Sequence, residues 1–304
     1  MVSVINEMEA EHRFGTAHVY EATLRAITSF VGGGEIFFGA LTPGWLKRFE
    51  THLRNRQRQW NTISTYLRML RATYNRAVTQ GFLTYIPHLF GGVYTGVKRE
   101  RKLSLPARAM HLLIYAPPRQ PLSAEVEESR EWLRLMFQLQ GMPFVDLAHL
   151  HHTDLDMSKR ILSCHRQKTG TSLEISLPFS VMKWIEEHRN ANETASPYLL
   201  NILSGTAEGA EAYEEYQQKL RRLNRNLKTL ARIQGVDARI SSYTARHTWA
   251  TLAKHCGIPE GLICDALGHT SVKTTETYLK SFDNKSLSKA NNKVIDVVKR
   301  AVTV

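Results

Sequence analysis

Tyr243, Arg246, His269 and Tyr278 fall within 36 residues of one another, and their chemistries are complementary. A guanidinium offers phosphate oxygens a planar fork of donors, an imidazole adds a hydrogen bond, and a phenol can serve as nucleophile. Gathered beside a basic surface, these groups are what a tyrosine site that cleaves a phosphodiester would need. Tyr243 and Arg246 are three residues apart and share one face if their segment is helical. Gly268 can end a helix, which sets His269 at the mouth of a turn. Thr270 or Ser271 can cap the next short helix, expected to carry Tyr278 nine residues after the histidine. A tyrosine at such spacing is more often core packing or plain surface, so spacing alone leaves both readings open.

The elements that must position these groups are mainly helices. Thr16 can cap a helix through Tyr20, Leu24, Ile27 and Phe30 that ends at Gly32-Gly33-Gly34. Thr42-Pro43 sets an N-cap before proline at the first helical position, ahead of Trp45, Leu46, Phe49 and Leu53. Thr62 opens a third helix whose Ile63, Tyr66, Leu67, Leu70, Tyr74 and Ala77 form one apolar stripe, stopped at Gly81. Residues 16–86 thus read as a small all-helical domain behind an N-terminal extension, 1–15. Residues 87–106, with prolines, glycines and the run Lys98-Arg99-Glu100-Arg101-Lys102, read as a linker.

A second domain, 107–285, is expected to hold a helix around Trp132–Leu139 that stops at Gly141. The β-prone runs Ile161–Arg166 and Ser172–Leu177 flank Lys168-Thr169-Gly170 and make a hairpin. Helices follow over Val181–Arg189 and Ala212–Ile233. The fold class is mainly α with a small β-sheet. In the tail, 286–304, Val294, Val297, Val298, Ala301 and Val302 follow the period of an amphipathic helix.

Charge points to the partner. The chain carries 40 Lys+Arg against 28 Asp+Glu, a net +12, which suggests a polyanion. Between Gly44 and Gln80, eight basic residues stand against one acidic residue, Glu50, which favours phosphate contact over a mixed solvated face. Arg54, Arg56, Arg58, Arg68 and Arg71, with Lys98 and Arg99 in the linker, are the candidate nucleic-acid contacts.

Other classes are set aside. Three cysteines, Cys164, Cys256 and Cys264, make no disulfide framework; a reducing compartment is the expectation, and Cys256 and Cys264 read as small core residues. No apolar run reaches the ~18–20 residues of a spanning helix, and the acidic N-terminus has no signal-peptide character, so a cytoplasmic, nucleoid-associated protein is expected. His151-His152 cannot act as an i, i+4 metal pair, and no phosphate-binding G-x-x-x-x-G-K loop occurs. No metal and no cofactor are expected.

Here the residues carry a resemblance. Arg246-His247-Thr248-x-Ala250-Thr251, followed by Leu267-Gly268-His269-x-Ser271 and Tyr278, resembles the tyrosine recombinase (phage integrase) family. Gly141-Met142-Pro143-Phe144-Val145-Asp146-Leu147, Asp154-Leu155-Asp156 and Lys168-Thr169-Gly170 resemble the start of that family's catalytic domain and its hairpin. The basic helical segment is similar to its SAM-like core-binding domain. Together these cover about residues 14 to 285.

The resemblance implies an α+β catalytic domain behind a helical core-binding domain, and a mechanism. Tyr278 would attack the scissile phosphate, giving a 3′-phosphotyrosyl link and a free 5′-hydroxyl, with no need of ATP. Arg246 and His269 would hold the non-bridging oxygens, and Lys168 would protonate the leaving oxygen. Partners would be double-stranded DNA with inverted half-sites and a homotetramer on that DNA, from a monomer or weak dimer, with accessory DNA-bending proteins open. The tail helix would dock on a neighbouring protomer. No arm-binding domain fits before Thr16, which tilts the expectation toward a simple integrase or invertase.

Two positions depart from the family. Pro143 stands where its first catalytic arginine usually lies, and Arg166, Arg130, Arg134 or no residue at all would take that part. Tyr243 stands where His or Lys is commoner; it would donate a hydrogen bond to phosphate or be a structural aromatic. Asp146 is expected as a buried partner fixing the active-site backbone, and His247 as structural. These departures keep two rivals in view: a DNA-binding member without catalysis, and a type IB topoisomerase-like nickase.

Overall fold

The computed structural model describes residues 1–34, 36–98, 104–191 and 196–279, with isolated positions beyond. Arg99 and nearly all of the expected C-terminal helix, including Val294, Val297, Val298, Ala301 and Val302, lie outside the described residues. The chain divides into two compact units, Met1–Glu100 with Glu208–Tyr213, and Arg101–Ala207 with Glu214–Val304.

The first unit holds four helices: α1 (Val2–Ala10), α2 (Phe14–Val31), α3 (Pro43–Asn55) and α4 (Trp60–Thr79). α1 lies inside the stretch expected as an extension. It forms because Val4, Ile5 and Met8 share a face and bury against Ala17 and Tyr20 of α2. Thr42 caps α3 as its sequence predicts, with the Trp45 amide donating to Thr42 Oγ1 at 3.1 Å. α4 starts two residues before Thr62, and its stripe packs on Leu46, Phe49 and Leu53. Leu89 and Phe90, in the stretch expected as linker, are buried in this core.

The second unit begins with α5 (Ala107–Ile114), α6 (Ala124–Gln138) and α7 (Phe144–Ala148). Three short antiparallel strands follow in the order β1 (Leu155–Asp156), β2 (Ile161–His165), β3 (Ser172–Ser176). The hairpin is the expected one, with Cys164 opposite Leu173; β1 adds a strand through Leu155 opposite Leu162. Leu162 and Cys164 face inward, and the same alternation carries Arg166 inward just past the strand. Then come α8 (Phe179–His188), α9 (Gly209–Gln234, which belongs to this unit from Glu214 on), α10 (Thr244–His255), α11 (Glu260–Ala266) and α12 (Val272–Glu276). Tyr278 lies in the turn just past α12, not on it, its amide donating to the Thr275 carbonyl at 2.8 Å.

α6 packs against α10, and Gly141 makes their approach possible. Its φ is +71°, and a Cβ there would stand 2.9 Å from the Arg246 Cα. Only glycine meets both demands. Cys256, expected in the core, is exposed at the end of α10, while Cys164 and Cys264 are buried; all three are free thiols. Among the described residues no helix is long and apolar enough to cross a membrane, and no cluster of His, Cys, Asp and Glu could hold a metal.

Candidate active site

Arg246 sits in the first turn of α10, only 2 % exposed. Its Nη1 donates to the Gly141 carbonyl at 3.1 Å, and Nη2 reaches both the Leu267 carbonyl and His269 Nε2, the latter at 2.9 Å. The Nε of Arg246, also buried, has no acceptor among the described residues. Burial and the neighbouring Arg166 lower its pKa to about 10, which leaves it charged at neutral pH.

His269 follows Gly268, whose φ of +61° turns the chain out of α11. Its Nδ1 lies 2.9 Å from Thr275 Oγ1, a hydroxyl of a fully buried residue. Burial, then Arg246, then Arg166, lower its pKa to about 4. A neutral ring with Nδ1–H toward Thr275 leaves Nε2 as acceptor for Arg246, which assigns the tautomer.

Tyr278 closes the cluster. Its ring stacks on His269 at 5.0 Å and lies 4.7 Å from the His247 ring, with the Arg246 guanidinium 5.4 Å over its face. The Thr251 hydroxyl donates to its carbonyl at 3.4 Å, tying the turn to α10. Tyr243, the residue that precedes α10, is half exposed. Partial burial and then Tyr278 raise its pKa, so it keeps its proton and remains a donor.

Pro143 caps α7 and carries no donor. A second guanidinium nevertheless enters the pocket from Arg166, which is 8 % exposed. Arg166 Nε stands 2.5 Å from Asp146 Oδ2, and its Nη1 donates to the Leu267 carbonyl, the acceptor Arg246 also uses. A Cβ on Gly268 would come 3.3 Å from the Arg166 Cγ, so this glycine also permits that approach. Asp146 holds the hairpin turn as well, its Oδ1 accepting from the Gln167 amide at 2.9 Å. The other two arginines weighed from sequence lie elsewhere. Arg130 is spent on the carbonyls of Leu113 and Ala116, and Arg134 on Glu131.

The pocket therefore holds two buried cations, one carboxylate and a neutral imidazole beside a phenol. That excess of positive charge out of water calls for an anion with several acceptor oxygens. Of the residues singled out in the sequence, Arg246, His269 and Tyr278 come together and Tyr243 borders them. Lys168 does not join them: it is exposed at the hairpin turn, without a hydrogen bond or ion pair to the cluster among the described residues. The carbonyls of Gly141 and Leu267 and the hydroxyl of Thr275 were not foreseen. Backbone carbonyls leave no sequence signal, and Thr275 is one threonine among several near Tyr278.

A model of the phage integrase family matches residues 111–285, more than half of the chain. The chain belongs to the phage integrase family. A phage integrase SAM-like domain model matches residues 1–89 of this integrase. Tyrosine recombinase XerA of Pyrococcus furiosus is 26 % identical over 142 residues, and the match covers 46 % of each protein. The match thus spans about half the length of that curated relative. Among solved structures, XerH site-specific recombinase bound to its difH substrate aligns with a TM-score of 0.65 at 14 % identity, over 91 % of this chain and 81 % of that one. A lambda integrase dimer bound to a core site aligns with a TM-score of 0.62 at 16 % identity, over 93 % of this chain and 98 % of that one. The expected family and the mainly helical fold with a small sheet are borne out.

In the first unit, Arg54, Arg56 and Arg58 are exposed, with Arg54 stacked 4.8 Å over the Trp60 ring. Arg56 and Arg58 line one concavity together with Arg25 and His52. Arg68 and Arg71 are half-buried, less open than their helical face suggested, because they sit beside the apolar stripe of α4. The backbone of Lys98 is held by the Asn61 side chain on both its amide and its carbonyl, at 2.8 and 2.9 Å.

Proposed function

We propose that this integrase-family chain is a site-specific DNA recombinase that cleaves and rejoins duplex DNA through Tyr278. The observation that carries the reading is the convergence of Arg166 and Arg246 on the Leu267 carbonyl beside the Tyr278 ring. A phosphodiester would offer acceptor oxygens to this paired positive charge, including the Arg246 Nε that has none among the described residues.

In the forward step, Tyr278 Oη bonds to phosphorus as the bond to the 5′-oxygen breaks. The tyrosine loses its proton and the leaving oxygen gains one. Arg246 and Arg166 stabilise the charge on the non-bridging oxygens in the five-coordinate transition state. Neutral His269 orients Arg246 in the free protein, and a bound phosphate, an anion, would draw a proton or a donor to its Nε2. Tyr243 adds a donor at the rim. Lys168 would serve as general acid once the hairpin turn meets DNA. Rejoining is the same path reversed: the 5′-hydroxyl attacks and Tyr278 leaves, so one phosphoester replaces another and no nucleotide triphosphate is consumed.

Arg54, Arg56, Arg58, Arg68, Arg71 and Lys98 would add backbone contacts from the helical unit. Inverted half-sites, a tetramer on DNA and accessory bending proteins belong to the same reading. Covalent trapping on nicked duplexes tests it. A protein–DNA band that survives denaturation and is lost in Tyr278→Phe supports it; tight binding without any adduct overturns it in favour of a binding-only member of the family.

A further inference from the structure

The two ring nitrogens of His269 face side chains of different hydrogen-bonding character. At Nε2 stands Arg246 Nη2, 2.9 Å away, a group that only donates. At Nδ1 stands Thr275 Oγ1, also at 2.9 Å, a hydroxyl that can accept or donate. Thr275 is 0 % exposed, in the short helix α12. The backbone of His269 is pinned as well. Its amide donates to the Cys264 carbonyl at 3.0 Å, and its carbonyl accepts from Cys264 Sγ at 3.3 Å. The Thr275 carbonyl in turn accepts from the Tyr278 amide at 2.8 Å. One threonine thus holds both the imidazole and the turn that carries Tyr278.

A phosphate reverses the demand on Nε2. In the free protein that nitrogen accepts from Arg246, so the proton of a neutral ring sits on Nδ1. A phosphate oxygen only accepts, so the same nitrogen must donate to it. Two routes supply that proton: the ring gains one and becomes imidazolium, or its single proton changes sides. The first route sets a third cation beside Arg246 and Arg166, where burial and both guanidiniums already press the half-buried ring toward neutrality. The one negative charge of a phosphodiester is met by those two guanidiniums, and Asp146 is already paired with Arg166. The second route leaves the charge unchanged and asks only that the partner at Nδ1 turn from acceptor to donor. A hydroxyl does so by rotating, whereas a carboxylate or a carbonyl can only accept.

We infer that Thr275 is a positioning residue that lets His269 exchange tautomers without taking up charge. Its hydroxyl accepts from Nδ1 in the free protein and donates to Nδ1 once Nε2 donates to a phosphate oxygen. The inference rests on the phosphodiester-cleaving reading above. One proton leaves Nδ1 for solvent water and one arrives at Nε2 from it, so the ring stays neutral. With Nε2 given over to the phosphate, Thr275 is the side chain that keeps the ring in its plane.

Nitrogen NMR reads the tautomer directly. In protein made with isotope-labelled histidine, the shift of each ring nitrogen tells whether it carries a proton. The signals lost in His269→Gln pick this ring out of the 13 histidines. The free full chain should show a protonated Nδ1 and a bare Nε2. The complex is made with Tyr278→Phe on a nicked duplex chosen because the unaltered protein forms an adduct with it. There the pattern should invert, with Nε2 protonated and Nδ1 bare. Thr275→Val should slow single-turnover adduct formation by about 10–100-fold, the cost of an unmade buried hydrogen bond, and Thr275→Ser should recover most of the rate. Should the valine variant unfold in a thermal melt, the spectra of protein with Thr275 in place decide alone. Two protonated nitrogens in the complex, an unchanged tautomer, or a folded Thr275→Val of undiminished rate would each overturn this inference and leave cleavage by Tyr278 standing. If no duplex yields a Tyr278 adduct, the DNA reading falls and takes this inference with it.

Discussion

Arg166 and Arg246 donate to the same oxygen, the carbonyl of Leu267, from elements 80 residues apart in the chain. The two guanidiniums meet on one acceptor, Asp146 is their one carboxylate among the described residues, and the guanidinium of Arg246 lies under the Tyr278 ring.

Arg166→Ala should slow Tyr278 adduct formation by about 10²–10³, the usual cost of losing one preorganised donor. Arg166→Lys should recover little, since an ammonium cannot pair with Asp146 and Leu267 through one planar fork. Single-turnover trapping on a nicked duplex measures both, with duplex affinity as the control for folding. A rate equal to that of the unaltered protein would leave Pro143 uncompensated.

Asp146→Asn retains an acceptor for the Gln167 amide but removes the charge opposite Arg166. Breaking a buried pair from one side costs about 3–5 kcal/mol, so the variant should unfold at markedly lower denaturant. A double Asp146→Asn, Arg166→Met variant should regain part of that loss while remaining slow in cleavage.

Gly141→Ala forces a Cβ against the Arg246 Cα at a positive φ. The left-handed conformation alone costs about 1–2 kcal/mol. Thermal melting should show a loss of at least that size, and adduct formation should fall with it because the Arg246 guanidinium hangs on the Gly141 carbonyl.

Folding stability should fall as pH drops from about 6.5 toward 4. The His269 pKa is lowered to about 4 in the fold, against about 6.5 in an unfolded chain, so the unfolded state takes up the proton first. Urea melts across that range should show a shallower fall in His269→Gln. Burial lowers the His149 pKa as well, so part of the slope should persist.

Much of the site was legible because its signals are local. Thr42-Pro43 and Gly81 mark helix ends through backbone sterics, and the alternation of the Ile161–Arg166 run marks a strand through its period. Arg246, His269 and Tyr278 were visible because two tight turns join them within one stretch of chain. α1 escaped notice since its face is short and means something only once Ala17 and Tyr20 are there to cover it.

Residue types and their order thus determined the family, the mainly helical class, the turn at His269 and the identity of the nucleophile candidate. Tertiary structure decided which arginine stands beside Arg246. Arg130, Arg134 and Arg166 are alike as letters; Arg166 is the one brought to the Leu267 carbonyl, because Gly268 lets the strand end approach and Asp146 and Leu267 supply its acceptors. Those partners stand 20 and 101 residues from Arg166, and a contact at that separation depends on how the whole unit packs rather than on any local propensity.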